Sequence, residues 1–591
     1  MIRITIGMGS CGIAAGAEEI YDTFLEHSKK NNDIEIVKVG CIGICQYEPL
    51  VEIYKDNERT TYINVKAEDV SNIIEEHVIY HNIVSKLLIE EKYKNITEVA
   101  YYKKQIRIAL RNCGIINPEN IDEYIKINGY KGLSEALSKK PNDIIDELKN
   151  SNLRGRGGAG FSTGKKWELA NLSKSEVKYV CCNADEGDPG SFMDRAILEG
   201  DPHSVIEAMI IAGFVTNSNQ GYIYVRAEYP LAIKRLEIAI EQAYSKQFLG
   251  TNILGTGFCF DLSLRLGSGA FVCGEETALI SSIEGKRGEP KVRPPFPTDK
   301  GIFSRPTLIN NVETYANIVP IILNGSKWFK SIGTNVSGGT KVFALSGKIV
   351  NTGLIEIPIG SSLKEIIYDI GGGIPNNKKF KAAQIGGPSG GCIPGKYIDI
   401  TIDYETLIEA GAMMGSGGLI IMDEDTCMVD IAKFFLDFTV DESCGQCIPC
   451  RIGTQKLLEI LKKITDGLGK ETDLHELKDL SAHVRDTSFC GLGYSAPNPI
   501  LSTILHFENE YIEHVKDKNC KARNCKNLMK YIIEESKCIG CGICLKECPV
   551  NAIEGVVKTP HIIDQSKCIK CGICFEKCKF DAIEIAGGID G

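Results

Sequence analysis

Cys538-x2-Cys541-x2-Cys544-x3-Cys548-Pro549 is followed by Cys568-x2-Cys571-x2-Cys574-x3-Cys578, and this repeat constrains the chain more than any other stretch. Two-residue gaps turn the backbone back towards one metal corner, so each triplet can wrap a [4Fe–4S] cube while the fourth cysteine of each run ligates the other cube. One cube is then held by Cys538, Cys541, Cys544 and Cys578, the other by Cys548, Cys568, Cys571 and Cys574. Lys579 stands where proline is usual in such a run. A third triplet, Cys444, Cys447 and Cys450 in ESCGQCIPCR, needs a fourth thiolate, and Cys490 in TSFCGLG is the best candidate. Leu457, Leu458, Ile460 and Leu461 between them fall at helical spacing, so a helix can carry the chain away and return Cys490 to the cluster.

Eight of the 24 cysteines lie in the last 54 residues. Clustered CxxC spacing in a long chain points to metal rather than to disulfides. A net charge of −10 argues against nucleic acid as the default partner. No apolar run reaches the ~20 residues of a membrane span, and MIRITIGMGSCG has no secretory pattern, so a soluble, cytoplasmic protein without a membrane partner is expected. The 591 residues suggest about four domains at ~150 residues each.

Residues 1–90 alternate strand, Gly-rich turn and amphipathic helix, then a hairpin and a closing helix. With Cys11, Cys41 and Cys45, this resembles the thioredoxin-like [2Fe–2S] domain of the complex I family. That domain uses a CxxxxC pair and a CxxxC pair; the second stands as Cys41 and Cys45, but Ile6 occupies the position five before Cys11. Three thiolates leave a two-iron cluster one ligand short. Either another side chain serves, or the domain has lost its cluster and remains as a docking surface. Residues 91–150 read as a helical connector, with Cys113 a packed residue.

Gly155, Arg156, Gly157, Gly158, Gly160 and Phe161 lie in LRGRGGAGF, which contains GxGxxG. A helical segment precedes the loop and the next strand comes well after, so this is no ordinary dinucleotide-fold fingerprint. The glycines still let backbone N–H groups approach a phosphate, a following helix start favours the anion, and Lys166 adds a point charge. NADEGDPG (from Asn183), YIYVRAEYP, GSGAFVCGEETAL (from Gly267), RPPFP and TLINNVET (from Thr307) follow in order. Together with ESCGQCIPCR they resemble the NADH- and FMN-binding subunit of complex I and its hydrogenase and formate dehydrogenase relatives, over roughly residues 130–510.

The resemblance implies an α/β and α+β multidomain fold: a Rossmann-like FMN/NADH domain (151–335), a ubiquitin-like β-grasp insert (336–425) and a helical bundle carrying a [4Fe–4S] cluster (426–512). It implies that the glycine loop and Lys166 hold phosphates. Asn183, Asp185, Glu186 and Asp188 would line flavin and nicotinamide, with Gly274, Glu275 and Glu276 beside them. Asn310, Asn311 and Thr314 would hold the ribityl-phosphate side, and Phe161 and Phe296 would sandwich the adenine. Glu186, Glu275 and Glu276 are the acids expected at the reacting atoms. Phe271 stands where such proteins often have tyrosine, and Asp188 where many have glutamate.

His514, Cys520 and Cys525 occupy a linker (513–530) and read either as part of a structural zinc site with an unidentified fourth ligand or as a reduced pair of linker cysteines. His506 is about 12 Å from His514 along a helix, too far to share an ion easily. Cys392 and Cys427 read as isolated and structural. Residues 531–591 form the ferredoxin-type tail. The N-terminal domain and the tail together resemble the beta subunit of electron-bifurcating [FeFe]-hydrogenases. That resemblance implies FMN, NAD(H) and three [4Fe–4S] clusters. The implied partners are a catalytic [FeFe]-hydrogenase subunit, a small thioredoxin-like [2Fe–2S] subunit and soluble ferredoxin, in a hetero-oligomer such as a dimer of heterotrimers. The diaphorase subunit of an NAD(P)-linked formate dehydrogenase or of an NADP-reducing hydrogenase is the alternative enzyme, and a flavin-free electron-wiring scaffold the alternative of another class. Lys286 and Arg287 are candidates for a nucleotide 2′-phosphate.

Overall fold

The computed structural model describes residues 2–29, 33–56, 58–89, 93–267 and 270–587. Ser268 and Gly269 of the GSGAFVCGEETAL motif lie outside the described residues. The chain forms two compact bodies, residues 1–421 and 422–591. Among the described residues no helix is long and apolar enough to cross a membrane.

The first body opens with a four-stranded sheet, β1 (Ile2–Gly7), β2 (Ile34–Val39), β3 (Val51–Lys55) and β4 (Glu58–Tyr62), in the order β2-β1-β3-β4. β1 runs parallel to β2 and antiparallel to β3. The helix Ala17–Ser28 buries Ala17, Ile20 and Phe24, the three-to-four spacing that the sequence offers. A helical connector includes Pro141–Asn150, which starts on a proline at its first turn, where no N–H is needed.

A second sheet is wholly parallel: β5 (Tyr179–Ala184), β6 (Gln220–Arg226), β7 (Asp261–Gly267) and β8 (Thr307–Asn311), ordered β7-β6-β5-β8. Parallel strands need crossovers, and helices supply them. Pro202–Thr216, buried along nearly its whole length, joins β5 to β6; Pro230–Ser245 joins β6 to β7. A third sheet follows, β9 (Thr340–Gly347), β10 (Gly353–Pro358), β11 (Phe380–Ile385), β12 (Gly391–Pro394) and β13 (Gly418–Asp423), in the order β10-β9-β13-β11-β12. Its β9–β13 pair is parallel and its β9–β10 pair antiparallel.

The second body is a helical bundle, with Met428–Asp441, Thr454–Thr465, Glu471–Thr487 and Asn498–Ile512 packed through Leu436, Leu457, Leu461, Ile464 and Leu477. A small tail follows, in which β14 (Met529–Ile533) pairs with β17 (Ile583–Gly587) and β15 (Ile553–Glu554) with β16 (Ile562–Ile563).

Candidate functional site

In the parallel sheet β6 and β7 lie on one side of β5 and β8 on the other. The direction of winding reverses between β5 and β8, and open α/β sheets bind ligands beyond the carboxyl ends of strands at such a switch point. The register places Cys182 beside Asn310 and Asn183 beside Asn311, so three asparagines share that edge. Asn183 Nδ2 donates to Gly274 O (2.9 Å), and its Oδ1 accepts from the Asp185 N–H (3.1 Å). Trp167 Nε1 donates to the Asn310 amide oxygen (2.9 Å). Asn311 accepts from the Thr314 N–H (3.3 Å) and donates to Asp194 Oδ2 (2.5 Å).

The glycine loop folds against this edge. The Gly155 N–H donates to Phe161 O (2.8 Å) and closes it. Gly160 has φ +64°, and a Cβ there would meet the Tyr404 ring at 2.4 Å, so only glycine suits the turn. At Gly157 a Cβ would lie 3.2 Å from Asn311 Cβ. The helix Thr163–Leu172 starts directly after the loop, capped by Ser162 Oγ, and its free N–H groups favour an anion. Arg156 also has a structural part. Its fully buried guanidinium donates to Thr340 O (2.9 Å), Arg154 O (2.9 Å) and Gly338 O (2.7 Å), so it braces the loop.

The acids also take structural parts. Glu186 accepts from the N–H groups of Met193 (2.7 Å), Asp194 (3.2 Å) and Arg195 (3.1 Å), which caps the helix Met193–Gly200. Burial raises its carboxyl above the ordinary range even so. Glu275 accepts from the Thr277 (2.9 Å) and Ala278 (3.0 Å) N–H groups and caps Glu276–Ile283. Both side chains hold helix starts, a structural use beside the role the resemblance implies for them. Glu276 lies between two cations, Arg293 Nη1 (2.8 Å) and Lys166 Nζ (3.3 Å). Burial pushes its carboxyl up, but those cations outweigh it and hold the group below its usual range. Lys166 also donates to Ile309 O (2.9 Å).

Asp188 is buried, with its Oδ2 accepting from Ser416 and its Oδ1 without a hydrogen-bond partner. Burial pushes its pKa up to about 6. Because the folded chain holds this proton more tightly than an unfolded aspartate, with its pKa of about 3.9, the group costs stability above pH 6 and nothing below pH 4. Asp188→Asn is therefore expected to stabilise the first body by about 2–3 kcal/mol at pH 8, with no gain at pH 4. Paired thermal melts at the two pH values check this; equal gains at both would refute the assignment.

Phe161 and Phe296 are 53% and 51% exposed. The Phe271 ring covers Gly187, where a Cβ would meet it at 2.7 Å. A second layer was invisible in the sequence. Lys341 on β9 is fully buried and pairs with Glu313 Oε2 (2.5 Å), and Asp194 joins Asn311 to that network.

In the second body Cys450 is pushed up to about 11, first by burial and then by the neighbouring Cys447, Cys490 and Cys444 thiols, so the four lie together. The Ser443 hydroxyl is 3.2 Å from Cys450 Sγ. Two cavities mark the tail, one lined by Cys538, Cys541, Cys544 and Cys578, the other by Cys548, Cys568, Cys571 and Cys574. The Ala552 and Ala582 N–H groups donate to Cys548 Sγ (3.2 Å) and Cys578 Sγ (3.4 Å), equivalent places in the two halves. Cys427 is not isolated, as its lone place in the sequence suggested. It lies with His514, Cys520 and Cys525, all four buried and with their donor atoms within 4.8 Å of one another. His514 Nε2 is 3.4 Å from both Cys427 Sγ and Cys525 Sγ, and its Nδ1 is 2.7 Å from Glu510 O. That outer hydrogen bond fixes the ring with Nε2 turned inward, as metal-binding histidines require.

Residues 148–320 match the Nuo51 FMN-binding domain, residues 430–514 the NADH-ubiquinone oxidoreductase-F iron–sulfur binding region, and residues 531–554 and 561–584 the 4Fe-4S binding domain. The F 2 subunit of the NADH-quinone oxidoreductase of Rhizobium meliloti is 41% identical over 414 residues, covering 70% of this chain and 98% of that one. The chain belongs to the Nuo51 family. Within it, the NADP-reducing hydrogenase subunit HndC of Solidesulfovibrio fructosivorans is 59% identical over 459 residues, covering 78% of this chain and 94% of that one. A crystal structure of NAD+-reducing [NiFe]-hydrogenase in the H2-reduced state aligns over 87% of this chain and 84% of its own, with TM-score 0.62 and 28% identity. Like its Nuo51 relatives, the chain is an oxidoreductase subunit that binds FMN and [4Fe–4S] clusters. The site suits FMN: a glycine cradle too tight for a Cβ, an anion-favouring helix start, three asparagines at the switch point and a buried carboxylate oxygen left without a donor.

Proposed function

We propose that this chain is the nicotinamide-oxidising flavin hub of a multisubunit hydrogenase. The 59% identity to an NADP-reducing hydrogenase subunit carries the reading. Bound FMN supplies the chemistry, taking two electrons as hydride and releasing them singly. The chain's own residues orient and insulate. Gly155–Gly160 and Lys166 bind phosphate, Asn183, Asn310 and Asn311 fix the ring system and its side chain, and Phe161 and Phe296 close on the adenine. Glu276, held between Lys166 and Arg293, keeps both cations in place without leaving bare positive charge beside the nicotinamide. Asp188, poised near pH 6, can hold or release a proton at the flavin edge.

Residues 1–90 are read as a thioredoxin-like domain and 336–425 as a β-grasp insert. Three [4Fe–4S] clusters, held by the cysteine sets above, form the one-electron relay. Cys427, His514, Cys520 and Cys525 hold a closed structural zinc, the three-thiolate, one-imidazole set of such sites. Once these sets are assigned, no cysteine pattern remains for a hydrogen-activating centre, so that centre belongs to a partner, here an [FeFe]-hydrogenase subunit, with soluble ferredoxin as a further partner. The sharper form of the proposal is coupling of NADH and reduced ferredoxin to hydrogen.

The test is anaerobic, on the complex purified with its natural partners. Hydrogen formation that requires NADH and reduced ferredoxin together supports the coupled form. Activity with NADPH or NADH alone reduces the proposal to a simple NAD(P)-linked hydrogenase, and turnover with formate but not hydrogen overturns it.

A further inference from the structure

The N-terminal domain presents three thiols and a buried carboxylate with no obvious structural purpose. Cys41 Sγ and Cys45 Sγ are 3.9 Å apart, and Cys45 also hydrogen-bonds Cys11. The Gly43 N–H donates to Cys41 Sγ (3.3 Å), the kind of contact that tunes cluster thiolates. Glu48 follows three residues after Cys45 and is 7% exposed. Its Oε2 accepts from the Leu50 N–H (3.0 Å), its Oε1 has no hydrogen-bond partner, and its carboxyl faces the Cys41 thiol. An ionisable group buried this way is costly unless something compensates it.

The position of the carboxyl matters most. A Cβ on Gly7 would lie 2.9 Å from Glu48 Oε2, and one on Gly12 3.2 Å from the same atom. Gly7 adjoins Ile6, the place where a fourth cysteine is missing, and Ile6 itself is fully buried. The carboxylate therefore lies beside the end of β1 on the Gly7 face, next to the Cys41 thiol, and two glycines leave room for it.

We infer that Glu48 is the fourth ligand of an N-terminal [2Fe–2S] cluster whose other ligands are Cys11, Cys41 and Cys45. A carboxylate carries the same charge as the thiolate it replaces, so the cluster keeps its net charge, unlike centres in which neutral histidines replace thiolates. Ligation releases the three thiol protons and any carboxyl proton to solvent; no oxidation is needed. The site also touches the flavin domain. The Ser10 N–H donates to Glu199 Oε2 (2.9 Å), and Gly40 packs so closely on Gly200 that a Cβ would meet its Cα at 2.4 Å. Both contacts lie at the end of the helix Met193–Gly200, whose start Glu186 caps. Eight residues at 1.5 Å each span about 12 Å, so one short helix links the two-iron site to the NADEGDPG motif.

The inference rests on the flavin–iron–sulfur reading above, but its test has its own readout. The full-length chain, purified anaerobically, is reduced with dithionite, which adds one electron to a two-iron centre, and studied by EPR at temperatures where four-iron signals have broadened away. The wild type is expected to show a two-iron signal. Glu48→Gln is expected to lose that signal and about two irons per chain, keeping FMN and the four-iron signals. Glu48→Cys is expected to restore the signal with altered g values, which also separates lost ligation from lost folding. An unchanged signal and iron content in Glu48→Gln overturns the assignment. So does a wild type that carries FMN and four-iron signals but no two-iron signal, and that outcome leaves the proposed function standing.

Discussion

Cys427→Ser is expected to strip the zinc and destabilise the whole second body. Its thiol meets His514 87 positions later and Cys525 98 positions later. An ion held by the proposed four ligands would close a long loop of chain, and the unfolded state would regain that loop entropy once the ion is lost. Structural zinc contributes about 10–16 kcal/mol of apparent binding free energy in small domains, comparable to the whole ~5–15 kcal/mol net stability of a typical fold. Cys427, Cys520 and Cys525 sit within the apolar core of the bundle, with Leu457, Ile464 and Tyr511, so solvent cannot take the place of the missing ligand. The measurement is zinc per chain by elemental analysis, followed by melting of the bundle read through its [4Fe–4S] absorbance. Cys259→Ser, at an exposed thiol of the first body, should change neither. Full zinc occupancy in Cys427→Ser would refute the four-ligand set.

Cys427 also marks where reading the sequence stops. The tail ligand sets could be written down from spacing because a two-residue gap returns the chain to the same metal whatever surrounds it, and both cavities hold the sets so written. The helix through Leu457 and Leu461 was legible for the same reason: period and burial are local properties. A ligand 87 residues from its nearest partner leaves no local trace, and a lone cysteine before a helix looks like packing. Glu186 and Glu275 show another limit. An acid before a helix can serve chemistry or cap the first turn, and both uses ask for the same residue at the same place; the N–H distances add the cap, which the sequence alone did not separate from the chemistry. Arg156 was legible only as a member of the glycine loop, and the carbonyls it satisfies come from residues 154, 338 and 340. Two of those lie far along the chain and carry no motif.

Lys341→Met is expected to destabilise the first body by about 3–5 kcal/mol, the cost of leaving one buried charge without its partner. Lys341 and Glu313 are 0% and 1% exposed, and Lys341 Nζ also donates to Ser416 O (2.6 Å) and Val342 O (2.8 Å). Methionine fills the volume but supplies none of these bonds, so Glu313 would stand charged in an apolar core beside Asp194. Burial already pushes both carboxyls up; Lys341 opposes it at both, and Arg156 also opposes it at Glu313. Glu313 lies between Asn311 and Thr314, so the damage reaches the flavin edge through the same turn. Loss of FMN on dilution should therefore accompany the lower melting temperature. Replacing both partners, Lys341→Met with Glu313→Gln, removes both charges, and the amide oxygen introduced at position 313 can still accept from the Val342 N–H, the contact Glu313 makes at 2.9 Å. Such a pair should recover a substantial part of the loss, since two matched neutral groups avoid the desolvation cost that one orphaned ion incurs. A double variant no more stable than Lys341→Met alone would mean that the lysine acts through its carbonyl contacts and packing, not through the ion pair.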